Sequence, residues 1–122
     1  MAVKMGSKDD YNFMVMYKNE DVAFVHVSAD HKEVSIKKIM PDGMKQVFNG
    51  NKLDLERVYS FLKDRCFEDG YTDLENVLAK VGMISNNPWE WNRKTHGVTW
   101  EDYFWVKFEG EDIVWEDVKW RD

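Results

Sequence analysis

The chain has 122 residues, of which 43% are hydrophobic and 15% aromatic, and its formal net charge at pH 7 is −6. This length and composition predict one packed domain and exclude a generally disordered chain. The acidic balance argues against sequence-independent nucleic-acid binding, which needs Lys and Arg to neutralise phosphates.

The N-terminal half is predicted to form an antiparallel sheet of three to four strands. Tyr11–Tyr17 and Val22–Val27 are β-rich runs separated by a polar turn, as is typical of a hairpin. Val34 and Ile36 alternate with polar neighbours in a third strand, and Lys45–Phe48 is a candidate fourth strand.

The spacing of apolar residues then changes to that of helices. Leu53 to about Arg65 carries one apolar stripe, which predicts an amphipathic helix. Thr72 followed by Glu75 predicts a capping box at the start of a second helix. Asn87-Pro88-Trp89-Glu90 has the residues preferred at the start of a third. The predicted core residues are Leu55, Val58, Leu62, Leu74, Val77, Leu78 and Trp105.

Two further strands, Phe104–Glu109 and Ile113–Val118, are predicted to return to the sheet from the C-terminal end. The order of strands, two to three helices and strands again predicts an α+β fold. We expect residues 1–10 to form a flexible lead-in and residues 11–122 a single α+β domain.

The expected compartment is the cytoplasm. Met1–Asp10 has no apolar core of the signal-peptide type, and runs such as Val22–Val27 are too short to span a bilayer. Cys66 is the only cysteine, which excludes an intrachain disulfide and favours a reducing compartment.

The most distinctive feature is the composition of the C-terminal third. All six tryptophans lie between Trp89 and Trp120, and the last 24 residues carry eight acids against three bases. Trp is enriched at binding hot spots, and carboxylates attract basic partners. An aromatic core with a solvated acidic rim explains the same pattern equally well. The predicted partner-binding residues are Trp89, Trp100, Glu101, Asp102, Glu109, Glu111, Asp112, Trp115, Glu116 and Asp117.

Candidates for catalysis or metal binding are few. Cys66 lies on the apolar stripe of a helix, where a buried and inert thiol is usual. The histidines His26, His31 and His96 lack the spacing of a zinc site, and no Gly-rich phosphate loop is present. We therefore expect no enzyme activity, metal or cofactor. The alternative is a small enzyme or metal-binding protein that uses His26, His31, Cys66 or His96.

The run from Gly97 to Lys107 resembles a G-[LV]-[ST]-x-x-D-x-[YF]-W-[VI]-[KR] signature. This is the signature of the N-terminal domain of HipA-like kinases of Gram-positive bacteria, and of small stand-alone proteins from those bacteria and their mobile elements. Pro88-Trp89-Glu90, Thr95-His96-Gly97 and Phe108-Glu109-Gly110-Glu111 are similar to motifs of the stand-alone proteins. Leu62-Lys63-Asp64-Arg65 resembles an L-x-x-R helix of the family, and the chain departs from the kinase pattern after Arg65.

In HipA-like proteins the phosphotransfer residues lie in a C-terminal kinase lobe, so the resemblance implies a regulatory or docking module without catalysis. The expected function is a small inhibitor or regulator that acts by protein contact and does not bind nucleic acid or membranes directly. One candidate partner is a HipA-like kinase lobe encoded nearby. The other is a host defence effector such as a CRISPR nuclease, whose Lys- and Arg-lined groove would meet carboxylates in place of phosphates, as in an anti-CRISPR-like inhibitor.

Overall fold

The structure is a computed structural model that describes residues 10–66, 72–99 and 101–119. Its strands are β1 (Tyr11–Tyr17), β2 (Glu20–Val27), β3 (Val34–Lys38) and β4 (Phe104–Phe108). Its helices are α1 (Leu55–Asp64), α2 (Leu74–Lys80), α3 (Pro88–Thr95) and α4 (Trp115–Val118). This order confirms the predicted α+β fold. Nearly all of the predicted lead-in, residues 1–9, lies outside the described residues.

The four strands form one antiparallel sheet in the order β3-β2-β1-β4. β1 and β2 form the predicted hairpin, and β3 pairs with the outer side of β2. β4 comes from the C-terminal part of the chain and pairs with β1, so that Phe13 lies opposite Phe108 and Tyr17 opposite Phe104. The first predicted C-terminal strand thus returns to the sheet as expected.

The face of the sheet that packs on the helices holds the main core. Alternate residues such as Phe13 and Val15 point to this face and are fully buried. Helix α1 contributes Val58, Phe61 and Leu62 from one stripe, as predicted for an amphipathic helix.

A second, smaller core lies on the opposite face of the sheet, which we call the second face. Met16 of β1 and Trp105 of β4 are buried there together with Val98 and Trp115. The indole N–H of Trp105 donates to the backbone oxygen of Lys18 at 2.7 Å, so its one polar group is paired. The chain after β4 therefore covers the β1–β4 half of the second face.

The helix starts are set by local hydrogen bonds. Asp54 caps α1 by accepting from the backbone N–H of Arg57 at 3.0 Å, so α1 begins two residues after the predicted Leu53. Asn87 caps α3 as predicted. The predicted capping box of α2 is wrong, because Asp73 is the N-cap and its carboxylate accepts from the Asn76 side chain instead.

Two predicted strands are also wrong. Lys45–Phe48 forms no strand, because the buried Gln46 side chain donates to the backbone oxygen of Met40 and accepts from the backbone N–H of Phe48. These local side-chain bonds replace a sheet ladder. Ile113–Val118 contains helix α4 instead of a strand. The Asp117 carboxylate accepts from the N–H of Val114 at 2.9 Å and closes a helical turn there.

The predicted core is largely confirmed. Val58, Leu62, Leu78 and Trp105 are buried, whereas Leu55, Leu74 and Val77 are half-buried at the margins of the clusters. No helix within the described ranges is long and apolar enough to cross a membrane.

Candidate protein-binding surface

Residues 109–118, which we call the acidic segment, contain five acids and no base. The segment begins at a turn in which Gly110 has a φ of 89° and the N–H of Glu111 donates to the oxygen of Phe108. From there it runs back across the second face of the sheet, where Ile113 and Trp115 pack on Met16 and Trp105.

One end of the acidic segment is held by Glu111. Its carboxylate accepts from the backbone N–H of Phe108 at 2.8 Å, and its second oxygen lies 2.9 Å from Nε2 of His96. His96 ends helix α3 in the left-handed conformation, with a φ of 58°. Glu111 is half-buried and acts as an anchor, so it does not belong to the freely exposed carboxylates predicted for this surface.

The other end is held by Trp115 and Asn19. Trp115 is 4% exposed, and its backbone N–H donates to Oδ1 of Asn19 in the β1–β2 turn at 2.8 Å. The Asn19 amide in turn donates to Glu116 at 3.2 Å. This hydrogen bond is the main cause that holds the pKa of the Glu116 carboxyl below its ordinary value. The segment is therefore fixed at both ends.

Between and beside these anchors, several side chains face solvent. Glu109, Asp112, Glu116 and Asp117 are exposed, and so is Val114, at 45%. Glu109 accepts from the Asn12 amide at 3.0 Å, which orients its carboxylate. The exposed carboxylates form one acidic surface with an apolar residue in it.

Asp102 forms an ion pair within the protein. Its carboxylate accepts two hydrogen bonds from the Arg65 guanidinium, at 2.9 and 2.7 Å. The Arg65 side chain is only 7% exposed and also donates to the backbone oxygens of Gly97 and Phe104. The charge of Asp102 is therefore paired inside the protein, and its role as a contact residue stays a prediction. Its neighbour Glu101 is exposed, as expected.

The three tryptophans predicted as contacts have different outcomes. The prediction that Trp115 turns outward is wrong, because an alternating strand would expose it but α4 turns it onto Met16 and Trp105. Trp89 is half-buried. Its ring lies 4.9 Å from that of Tyr11 and 4.3 Å from the exposed His31 imidazole. Trp100 lies outside the described residues.

The residues of the alternative, enzymatic or metal-binding hypothesis are dispersed. Nδ1 of His26 lies 2.5 Å from Oδ1 of Asn12, and Nε2 of His96 lies 2.9 Å from the Glu111 carboxylate. The His31 ring lies tilted against the ring of Trp89. Among residues 10–66, 72–99 and 101–119 there is no group of three or more His, Cys, Asp or Glu that could hold a metal ion. The half-buried Cys66 packs beside Leu78, Met83 and Trp91 in a third apolar cluster.

Several residues of the Gly97–Lys107 run serve the fold directly. Gly97 has a φ of 65°, and a Cβ there would lie 2.5 Å from Oδ1 of Asn92. Asp102 binds Arg65, and Trp105 is fully buried. Comparisons of the chain with protein-family models, with curated protein sequences and with solved structures found no match. The resemblance of this run to the HipA-like signature therefore stays a prediction.

The anchors Asn19 and His96 were missed as parts of the site by sequence reasoning. Asn19 lies 96 residues before its partner Trp115, and no local pattern joins them. For α4 a signal was present: Asp117 three residues after Val114 has the spacing of a carboxylate that caps a helix start.

Proposed function

We propose that this chain is a non-enzymatic regulator that binds a basic surface of a partner protein through its acidic segment. One observation carries the proposal. Five acids and no base lie in a segment that is anchored at both ends, by Glu111 at one and by Trp115 at the other. Anchoring removes much of the ordering cost that a mobile acidic loop would have on binding.

The carboxylates proposed to meet the partner are Glu101, Glu109, Asp112, Glu116 and Asp117, all of which are exposed. Exposed charges of this kind add mainly to the rate of association and to the choice of partner. The exposed Val114 supplies apolar area within the same surface.

Trp89 is proposed as a separate additional contact, on the helix-covered side of the sheet, where it packs against the main core. The Tyr11 ring lies against both Trp89 and Phe108, at 4.9 and 5.1 Å, and Phe108 immediately precedes Glu109. A half-buried aromatic ring is a suitable anchor for a partner's side chain.

The proposed partners act in the cytoplasm and carry a basic surface. A kinase lobe of the HipA-like type is the first candidate, on the strength of the Gly97–Lys107 resemblance. A nucleic-acid-binding defence effector is the second, because its groove is lined with Lys and Arg. Both fit a carboxylate surface, so the function is proposed as inhibition or regulation by contact.

The experiment is a binding titration against purified proteins of these two classes encoded beside the gene. The test variant combines Glu101→Lys, Asp112→Lys and Glu116→Lys. It avoids Asp102, Glu111 and Asp117, whose carboxylates accept from the Arg65 guanidinium or from backbone N–H groups. We expect weaker binding through slower association, and wild-type affinity that falls as salt rises.

The matched control combines Glu33→Lys, Asp64→Lys and Glu75→Lys, which reverse three exposed acids elsewhere and change the net charge equally. The control is expected to bind like the wild type. An equal loss of affinity in both variants would show that the change in net charge alone causes the effect. Unchanged affinity of the test variant at low salt would overturn the proposal.

A further inference from the structure

The two edges of the sheet differ in how their outward backbone groups are used. At the β4 edge, three backbone N–H groups point away from β1, those of Phe104, Val106 and Phe108. Each is bonded within the chain, in that order to the Asp102 carboxylate, the backbone oxygen of His96 and the Glu111 carboxylate, at 3.0, 2.8 and 2.8 Å. The β4 edge is therefore closed to a further strand.

The β3 edge, on the other side of the sheet, is open. Backbone hydrogen bonds hold Glu33 and Ile39, at the two ends of β3, to β2 and the residue after it. Because backbone groups in an antiparallel ladder alternate in direction, those of Val34, Ile36 and Lys38 point away from β2. Among the residues that the structure describes, the backbone N–H groups of these three have no acceptor. They are available to another strand.

The side chains of this edge alternate between the two faces of the sheet. Val34 and Ile36 lie on the face that packs on the helices, where both are half-buried against the main core. Ser35 and Lys37 are exposed on the second face, and the exposed Glu33 continues the same alternation. Within the described residues, neither Glu33 nor Lys37 forms an ion pair in its own chain. Two opposite charges thus stand four residues apart on an open edge.

We propose that the β3 strands of two copies pair edge to edge and antiparallel, about a twofold axis that passes between the two Ser35 residues at right angles to the sheet. Val34 and Ile36 flank Ser35, so Val34 of each copy lies opposite Ile36 of the other, and their outward backbone groups meet. Glu33 of each copy likewise lies opposite Lys37 of the other, in two ion pairs. The contact is self-complementary, and two four-stranded sheets become one of eight strands.

The alternative registers lack this match. A shift of the axis by one residue in either direction separates Glu33 from Lys37 and removes both ion pairs. A shift by two residues toward the C-terminus places the two Lys37 side chains directly opposite each other, which destabilises a sheet. In the proposed register Lys38 lies opposite Lys32, but the charge of Lys38 is already paired with the Asp42 carboxylate. Charge complementarity therefore selects the second copy and its register.

The pairing leaves the acidic segment uncovered. This segment follows β4, and β4 and β3 are the two opposite edges of the sheet. In a pair joined at β3, the two acidic segments lie toward the two outer ends. A consequence that rests on the proposed function is that one pair presents two binding surfaces, for two partner molecules. The pairing itself is independent of that function.

The test is sedimentation velocity of the wild type and of charge variants, without any partner, from low to high micromolar concentration. The wild type should shift from one to two chains per particle as concentration rises. Glu33→Lys alone and Lys37→Glu alone place like charges across both contacts, so each should raise the dissociation constant of the pair by about tenfold or more. In an equal mixture of these two variants, every contact again joins opposite charges. Mixed pairs should therefore form about as tightly as wild-type pairs.

Glu75→Lys and Lys80→Glu are the charge controls, because both residues are exposed on α2 and their reversal changes the net charge equally. They should leave pairing unchanged, alone and mixed. Val34→Pro removes an outward N–H at the first position of β3, where an edge strand tolerates Pro, and should abolish pairing. Val34→Ala also shortens the side chain but keeps the N–H, so it should pair more tightly than Val34→Pro. Circular dichroism spectra of all variants should coincide with that of the wild type.

A wild type that stays a single chain throughout overturns the pairing, as does a mixture of the two charge variants that pairs no better than either alone. Both results leave the proposed function to its own titration. Lys37→Glu separates the two proposals further, since it should bind a basic partner at least as tightly per chain as the wild type. If it instead loses partner binding, the β3 edge serves the partner and the self-pairing proposal is wrong.

Discussion

The buried guanidinium of Arg65 donates two hydrogen bonds, of 2.9 and 2.7 Å, to the carboxylate of Asp102. Arg65 lies at the end of α1, and Asp102 lies just before β4. The same guanidinium reaches the backbone oxygens of Gly97 and Phe104. One side chain thereby ties the first helix to the loop after α3 and to the last strand. This tie sets where β4 enters the sheet, and with it where the acidic segment begins.

Replacing Asp102 by Ala should lower the free energy of unfolding by about 2 kcal/mol, because it leaves the Arg65 charge buried without its partner. The expected loss is below that of a fully buried pair, since the Asp102 side chain is 35% exposed. Urea denaturation measures it. Glu101→Ala, one residue away and exposed, is the control and should change stability by less than about 0.5 kcal/mol. Equal effects of the two would contradict a structural role for the pair.

Gly97→Ala should destabilise the fold by about 2 kcal/mol or more. The left-handed backbone alone costs an L-residue roughly 1–2 kcal/mol, and the new Cβ would also lie 2.5 Å from Oδ1 of Asn92. Gly110→Ala separates the two terms, because Gly110 has a φ of 89° but nothing within 4 Å of the added Cβ. Thermal unfolding should show Gly97→Ala as clearly the worse of the two, and the reverse order would refute the close approach.

Some carboxylates of the acidic segment should stabilise the fold, and others should contribute little to its stability. Glu111→Ala leaves the N–H of Phe108 without its acceptor and removes the contact with His96, at an expected cost of about 1–3 kcal/mol. Asp112→Ala, the adjacent exposed residue, should stay within about 0.5 kcal/mol of the wild type. Chemical denaturation of both variants tests the distinction, which fails if Asp112→Ala is the more damaging.

The Glu116 carboxyl gives a pH-dependent prediction. Its pKa is lowered in the folded protein, mainly by the hydrogen bond from Asn19. A lowered pKa in the folded state means that the stability it contributes is present above the ordinary glutamate pKa and is lost as pH falls through the lowered value. Asn19→Ala should raise the Glu116 pKa, which an NMR titration of the side-chain carboxyl carbon measures. An unchanged pKa in that variant would show that Asn19 is not the cause.

Trp115 should behave as a core residue. Trp115→Ala is expected to cost about 3–5 kcal/mol, the usual loss for a buried Trp, because it opens the cluster with Met16, Val98 and Trp105. Val114→Ala, at the exposed neighbour, should cost far less. Calorimetry compares them. A folded, stable Trp115→Ala variant with weakened partner binding would return Trp115 to the list of contacts.

Much of the fold follows from local patterns in the sequence. The alternation in Tyr11–Tyr17 matches β1 at both ends, and the apolar stripe of Val58 and Leu62 correctly oriented α1. These patterns predict correctly because the side chains that face the core recur every second residue in a strand and about every 3.6 residues in a helix. The strand patterns at Lys45–Phe48 and Ile113–Val118 predict wrongly. In both segments a side chain forms hydrogen bonds with nearby backbone groups, and no strand forms.

The sequence by itself also determined that the C-terminal part is acidic and rich in Trp, because charge and residue type are local properties. Only the tertiary structure decided which of those residues face solvent. Asp102 forms an ion pair with Arg65, and Glu111 contacts His96 and accepts from the backbone N–H of Phe108. Trp115 packs on the second face of the sheet. Those partners lie 15 to 37 residues away for the side-chain ion pairs, and 96 residues away for the Asn19 anchor of Trp115. Such pairings depend on how the strands and helices meet in space, which no local period encodes.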